Sequence, residues 1–430
     1  MVRGGVQGQR ARVRMSSRLR WFIVRISQKI WVVAALYTVM GIGTAFVAPL
    51  IGPMLPDGLG DKLGSGAVEA VLSVLASSML SVVTFSLGIM VSAFTAASGS
   101  VTPRATQLLK SDRTTQRVLS TFLGSFLFSL IGIIALNAGF YSDNDRLVLF
   151  VATILVVVII VIAILRWIAH LTVFGLMDDS IRKVEEAARS ALDHRLDTPF
   201  LGGHEGSGPP PGARAVHHDQ IGYLVHVDMP ALQAMADDAG VDIHLAALPG
   251  RFLHPGLPAL WIARQTASDQ QPDDEALCKA LTVAESRTYD QDPRFGLTVL
   301  TEIAERALSP AVNDPGTAID ILGRSVRLLS ACADAREIAL DFPRVWVPAL
   351  AVEDLLDDVF PPIARGGSAI FAVQMRLQKS LLALAQIAPD RFAASARRHS
   401  AEAMARCRDQ MLPSERERLN AVVEAIQTVG

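Results

Sequence analysis

The residues best suited to chemistry gather in two places. The first is the stretch RALSPAVNDPGTAID, Arg306 to Asp320, where Ser309, Asn313, Asp314 and two prolines interrupt helix-forming sequence on both sides. Asp314 precedes Pro315, as Asp292 precedes Pro293. Each pair sets an N-capping carboxylate beside the residue best suited to a first helical turn. Ser309 and Pro310 stop the preceding helix, and Asn313 can bond the backbone in a tight turn. The stretch therefore reads mainly as a turn. Arg306, Ser309, Asn313 and Asp314 are its candidate ligand- or partner-binding residues, because a helix N-terminus also attracts anions.

The second place holds seven of the nine histidines, between His194 and His254. His226 and Asp228 share one strand face, as do Asp242 and His244. Paired strands could bring these four together as metal ligands. Neither spacing nor motif supports that, so strand histidines facing solvent are the plainer reading and no metal is expected. Ser180 and Lys183 match an S-x-x-K spacing with no companion motif, which is a weak signal. Cys278, Cys332 and Cys407 are far apart and read as reduced thiols. No P-loop, G-x-S-x-G, H-E-x-x-H or G-x-G-x-x-G occurs in a supporting context. No catalytic residue or cofactor is assigned, and the chain leans away from enzymes.

The elements that would carry these residues begin in a membrane. Four stretches are long and apolar enough to cross a hydrocarbon core of ~30 Å: Ile30 to Gly52, Val71 to Thr95, Val118 to Phe140 and Leu147 to Leu165. The first is too long for a secretory signal and lacks a convincing cleavage site. Basic residues alternate between the connecting segments. Eight precede the first span, from Arg3 to Lys29; Arg104, Lys110, Arg113 and Arg117 follow the second; Arg166, Arg182 and Lys183 follow the fourth. The other two loops hold one each, Lys62 and Arg146, beside Asp57, Asp61, Asp143 and Asp145. The alternation predicts both termini in the cytoplasm, with Trp21, Trp31 and Trp167 as interfacial anchors. No charge lies midspan, which argues against a proton relay. Span two carries Ser73, Ser77, Ser81, Thr84, Gly88 and Ser92, and span three Gly124, Ser125, Ser129 and Gly132. Helix packing is the simpler reading of both stripes, a hydroxyl-lined pore the sharper one.

After span four, helical composition continues while turning polar, as a stalk to about residue 197, and GGHEGSGPPPGAR follows as a linker. Residues 216–265 read as a small β-module with one helix centred on Met229 to Gly240. Its rhythm around PGRFLHPGLPAL is similar to half of a lipoyl or biotinyl barrel in shape alone, since no lysine sits where such a hairpin would present one. Residues 273–430 read as helices with apolar stripes at Leu297, Leu300, Ile303 and Ala307, then Ala318 to Cys332, then Ile370 to Ile387. The fold class is thus mainly α. A basic segment (1–29) and a four-helix transmembrane bundle (30–176) lead through stalk and linker (177–215) to a cytoplasmic α+β region, the β-module plus a helical bundle. A net charge of −2 gives no global field for nucleic acid.

Three segments carry a resemblance: QDPRFGLTVLTEIAERALSPAVNDPGTAID, GYLVHVD with PGRFLHPGLP, and MLSVVTFSLGIMVSAFTAASGSVTPRATQLLKSD. Together they resemble the bacterial membrane proteins of the domain of unknown function 2254. The resemblance implies a multi-pass inner-membrane protein with a cytoplasmic domain, and no activity. The expectation is a membrane-anchored sensor or scaffold, homo-oligomeric, whose cytoplasmic domain binds a ligand or protein partner. An oligomeric channel or transporter subunit is the alternative.

Overall fold

The structure, a computed structural model, describes residues 30–51, 54, 66–110, 112–138, 143–264, 272–334, 336 and 339–429. The basic leader with Trp21, the loop residues Asp57, Asp61 and Lys62, and Ser142 lie outside that set, as does the Trp31 side chain. The described residues divide into two compact units, 30–180 and 181–429.

In the first unit, four helices are long and apolar enough to cross a membrane. They are α1 (Ile30–Ile51), α2 (Ala67–Ser100), α4 (Arg113–Asn137) and α5 (Asp143–Leu171), with the short α3 (Pro103–Lys110) after α2. Even the 22-residue α1 extends about 33 Å. α4 is the hub, packed against α1, α2 and α5. Its small residues explain why. Gly124 lies against the Tyr37 ring of α1, and Gly132 against Leu72 of α2, with no room for a Cβ at either. Ser120, Ser125 and Ser129 are buried beside them. The α2 stripe behaves differently: Ser73, Ser77, Ser81, Thr84, Gly88 and Ser92 are exposed in the single chain. Ser77, Ser81 and Thr84 donate to carbonyls one turn back, which satisfies the hydroxyls without a partner helix. Packing within the chain thus accounts for the α4 stripe and not for that of α2.

α5 does not run on as the composition suggests. A turn follows Leu171, and Gly175 takes φ 81°, a conformation that ends the helix and brings its backbone against Ala93 of α2. A new helix, α6 (Met177–Asp197), then starts with Asp178 and Asp179 in its first turn and ends with His194 and Arg195 in its last. Both charge placements suit the helix dipole.

The second unit contains two sheets. The larger has strand order β1-β8-β4-β6-β2, formed by His204–Gly206 (β1), Arg214–His217 (β2), Val241–Leu245 (β4), Pro258–Arg264 (β6) and Val345–Pro348 (β8). β8 pairs parallel with β1 and β4, and the remaining pairs are antiparallel. The smaller sheet orders β5-β3-β7, from Gly222–Val227 (β3), Phe252–Leu253 (β5) and Leu281–Ala284 (β7). Val216, Ile243, Leu245, Leu260, Ile262, Val345 and Val347 bury one face of the larger sheet against α7 (Met229–Ala239) and the smaller sheet. Asp228 caps α7, and Gly240 closes it at φ 65°.

The segments that the sequence reading sets apart therefore share one core. β7 and β8 come from the helical half, and β1 from the Gly/Pro linker. β5 and β6, which carry the barrel-like rhythm, belong to different sheets. α6 is no free stalk from Ile181 onward, because its Glu185 carboxylate receives Arg324 at 2.7 Å and Arg327 at 3.0 Å. Those arginines sit on α10 (Pro315–Leu329), which with α9 (Pro293–Ala307), α11 (Val352–Gly366), α12 (Phe371–Ile387), α13 (Pro389–Cys407) and α14 (Pro413–Thr428) makes the helical layer; the short α8 (Asp274–Lys279) precedes β7. Leu297, Leu300, Ile303 and Ala307 are fully buried, as are Ala318, Ile321 and Leu322. On α12 the stripe is buried from Val373 to Leu384, and Ile387 at the helix end is exposed.

Candidate functional site

The Arg306–Asp320 stretch spends most of its polar groups on itself. Ser309 Oγ donates to the Arg306 carbonyl at 2.7 Å. Asn313 sits at φ 51°, in the left-handed region that Asn tolerates better than most residues, and its N–H donates to the Ser309 carbonyl. The Asp314 N–H donates to the Ala307 carbonyl at 2.8 Å. Its carboxylate accepts from the Thr317 N–H at 3.2 Å and from Thr317 Oγ1 at 2.6 Å. The Thr317 hydrogen bonds hold the Asp314 carboxyl below the usual carboxylate range. Arg306, Ser309, Asn313 and Asp314 thus form one tight corner between α9 and α10.

The four histidine-cluster residues separate. His226 lies on β3 in the smaller sheet, and Asp228 behind it accepts from the Ala231 N–H as the α7 cap. Asp242 and His244 lie on β4 in the larger sheet. Among the described residues no three His, Cys, Asp or Glu side chains gather as metal ligands would. His244 instead stacks on Trp346, whose other neighbour is His204, along the cross-strand row of β1, β8 and β4. Burial lowers the His244 pKa, so the stacked ring is held neutral. The Cys332 thiol is pushed up to about 11 by burial, and Cys278 and Cys407 are also raised. Ser180 Oγ donates to the Leu176 carbonyl.

A cleft of about 470 Å³ lies elsewhere in the second unit. It is built where three structural details meet. First, Gly296 on α9 lets α6 approach closely, since a Cβ there would sit 2.7 Å from Ala188 Cα. That crossing carries Arg195, in the last turn of α6, into the cleft wall. Second, the loop from Ala246 to Arg251 is tied to β3 by two backbone bonds, Gly250 N–H to Leu224 O and Leu224 N–H to Arg251 O. Gly250 has φ 100°, and any Cβ on it would overlap the Asp292 carboxylate. Third, α11 begins just past β8, and its N-cap Ala351 offers no side-chain cap.

Asp292 organises the floor. It is 2% exposed and caps α9, accepting from the N–H groups of Arg294 and Phe295 at 3.2 Å. Arg287 grips it with two bonds, Nε to Oδ2 at 2.7 Å and Nη2 to Oδ1 at 3.0 Å, while its guanidinium lies 5.0 Å over the Phe295 ring. Burial still pushes the Asp292 carboxyl up, against the pull of Arg287. Arg294 is locked to α11, donating to Asp354 at 2.7 Å and to Asp358 at 2.7 and 2.9 Å.

Arg195 is different. It is 3% exposed, and Nη1 reaches only the Pro199 carbonyl at 3.3 Å. Its Nη2 has no hydrogen-bond partner. Burial lowers its pKa to about 10, with Asp292 pulling the other way, so it stays charged at neutral pH. The lining contains four arginines, Arg195, Arg251, Arg287 and Arg294, against Asp292 and Asp354. Arg287 and Arg294 are matched by the carboxylates they hold. Arg195 and the exposed rim residue Arg251 are held by no carboxylate, and with Asp358 also on Arg294 the net surplus is one positive charge. The lining contains no Ser, Thr, Cys, His or Lys, and both its carboxylates, Asp292 and Asp354, are bonded to arginines.

Sequence reading sees Asp292 as a helix cap and stops there. The available signal was an Asp-Pro cap flanked by arginines at 287 and 294. Arg195 and Arg251 carry no such local mark.

A family model described as a predicted membrane protein, DUF2254, matches residues 27–383. Among similar curated proteins, the uncharacterized protein Mb1321c of Mycobacterium bovis is 26% identical over 392 residues, covering 86% of this chain and 74% of the relative. The uncharacterized protein Rv1290c of Mycobacterium tuberculosis matches with the same figures. No solved structure matches the chain.

Proposed function

The chain belongs to the DUF2254 family of predicted membrane proteins, and from that premise we propose that it is a membrane-anchored sensor or scaffold whose C-terminal unit binds a ligand in the arginine-lined cleft. The observation that carries this reading is the cleft itself. It is concave, has the size of a small-molecule site, and mixes apolar wall with a few fixed polar groups. The corner at Arg306, Ser309, Asn313 and Asp314 then serves to set the angle between α9 and α10. The bilayer is the inner membrane of a bacterium, with both termini and the C-terminal unit in the cytoplasm; the alternation of Lys and Arg supports that orientation. The protein works as a homo-oligomer.

The test is a thermal-shift screen of the purified full-length protein in lipid nanodiscs, beside an Ala246→Trp variant that fills the cleft. A compound that stabilises the wild type and not the variant supports the reading. Stabilising compounds that act equally on both place the ligand elsewhere and overturn it. The exposed hydroxyl stripe of α2 favours a second reading, an oligomeric pore. Ion or solute flux through reconstituted vesicles, abolished by Ser77→Leu and Ser81→Leu together, would move the assignment to a channel.

A further inference from the structure

The cleft has a surplus of positive charge, and one of the guanidinium groups in its wall is almost entirely buried. We infer that the cleft takes an organic phosphate, with Arg195 and Arg251 receiving the phosphoryl group. This deepens the ligand-binding reading and rests on it.

The argument starts with Arg195. A guanidinium has five donors, and leaving one terminal nitrogen buried and unbonded is costly. Arg195 Nη2 is in that state, in a residue 3% exposed that lines the cleft. Asp292 is its electrostatic neighbour, yet both carboxylate oxygens of Asp292 are already bonded to Arg287. An incoming anion would complete what the protein leaves open.

The start of α11 forms another part of the cleft wall. α11 is 15 residues long, and its cap Ala351 makes no side-chain hydrogen bond. Ala349, Leu350, Ala351 and Asp354 line the cleft, so the start of α11 borders the same space, with the acidic Glu353 and Asp354 in its first turn.

The open donors select among anions. Arg195 and Arg251 are the guanidinium groups not held by a carboxylate, because Arg287 is bonded to Asp292 and Arg294 to Asp354 and Asp358; a phosphate monoester offers three strong acceptor oxygens for them. A monocarboxylate offers two oxygens, one fewer than a phosphoryl group, to the same pair of guanidinium groups. Volume selects the rest. About 470 Å³ is far more than bare phosphate requires, and Leu248, Pro249, Pro348 and Leu350 provide an apolar wall for an organic body. Arg287 and Arg294, held rigidly by their carboxylates, shape the cleft without competing for the ligand.

Isothermal titration on the full chain in phosphatidylcholine nanodiscs tests this, with glycerol 3-phosphate, inorganic phosphate and succinate as probes. Parallel nanodiscs containing phosphatidic acid ask whether a lipid headgroup is the source. Glycerol 3-phosphate should bind saturably and more tightly than inorganic phosphate. Arg195→Met should weaken it by about tenfold or more, as expected for a lost charge-assisted hydrogen bond. Arg251→Gln, at an exposed rim position, should weaken it several-fold with the fold intact, so the inference stays testable if Arg195→Met fails to fold. If phosphatidic acid in the disc suppresses the soluble probe, the headgroup is the physiological source; if it does not, a soluble phosphate is. Phosphate binding unchanged in both variants overturns the inference. Succinate binding that depends on Arg195, with no phosphate binding, leaves the ligand site standing and removes the phosphate assignment. Absence of any probe binding that depends on these residues overturns the inference, and the compound screen then decides the broader reading.

Discussion

Asp314→Ala tests whether the α9–α10 corner is held by its cap. The substitution removes two acceptors at once, because the carboxylate receives both the N–H and the Oγ1 of Thr317. Loss of an N-cap costs ~0.5–2 kcal/mol, and the second bond argues for the upper half of that range. In a unit of this size 1 kcal/mol moves the midpoint by ~2–4 °C, so a fall of roughly 2–8 °C is expected. Asp314→Ser should recover most of it, since a serine hydroxyl can accept the same backbone bond. Thr317→Val isolates the side-chain bond, and the double mutant closes a cycle that measures its coupling to Asp314. The pH dependence provides a second check. The Asp314 carboxyl is held below its ordinary value of 3.8, so its contribution is fully present above that pH and is lost as pH falls through the lower folded value. Melts of the full chain in nanodiscs, followed by tryptophan fluorescence, should show a wild-type advantage that is flat from pH 7 to about 5 and shrinks below 3.8. Equal midpoints for wild type and Asp314→Ala would refute the reasoning. If these residues also bind a ligand, Asp314→Ser would restore the melt without restoring the binding.

Three further outcomes follow from the packing and the charges. Gly296→Val should cost ~1–3 kcal/mol by driving a side chain into Ala188, and because it displaces α6 it should weaken probe binding at the cleft as well, read by melts and titration on one sample. His399 is buried beside Phe360, and its pKa is lowered by burial and then by Arg398, against Asp357, Glu402 and Glu353. The unfolded ring takes its proton first, so stability should be full above about 6.5 and fall as pH drops toward the lower folded value, a slope that His399→Gln flattens in melts between pH 7.5 and 5. In a background lacking the three native cysteines, an impermeant thiol reagent should label a cysteine at Ser142 in intact cells and leave one at Ser207 unlabelled; labelling of Ser207 would reverse the proposed orientation.

Much of this protein was legible without a structure, and for a common reason. The four spans rest on hydropathy summed over twenty or so residues, the Asp-Pro caps on neighbours one to three positions apart, and the α9 and α10 stripes on helical period. All are local quantities. The limits were local as well. α5 and α6 read as one helix because composition does not register that Gly175 turns left-handed against Ala93, a contact with a residue far back in the chain. The stripes of α2 and α4 look alike, and only packing shows that α4 buries its small residues while α2 exposes them. VWVP, four residues between helices, carries too little pattern to announce a strand, yet it pairs with both β1 and β4 inside the larger sheet. The cleft is the clearest case. Arg195, Arg251, the Arg287–Arg294 stretch and the α11 N-terminus come from four separate segments, and no periodicity or spacing links one segment to another. Hydropathy, capping and period are properties of a stretch of chain and can be read from it. The surplus charge of a cleft depends on which carboxylate reaches which guanidinium, and tertiary structure alone decides that.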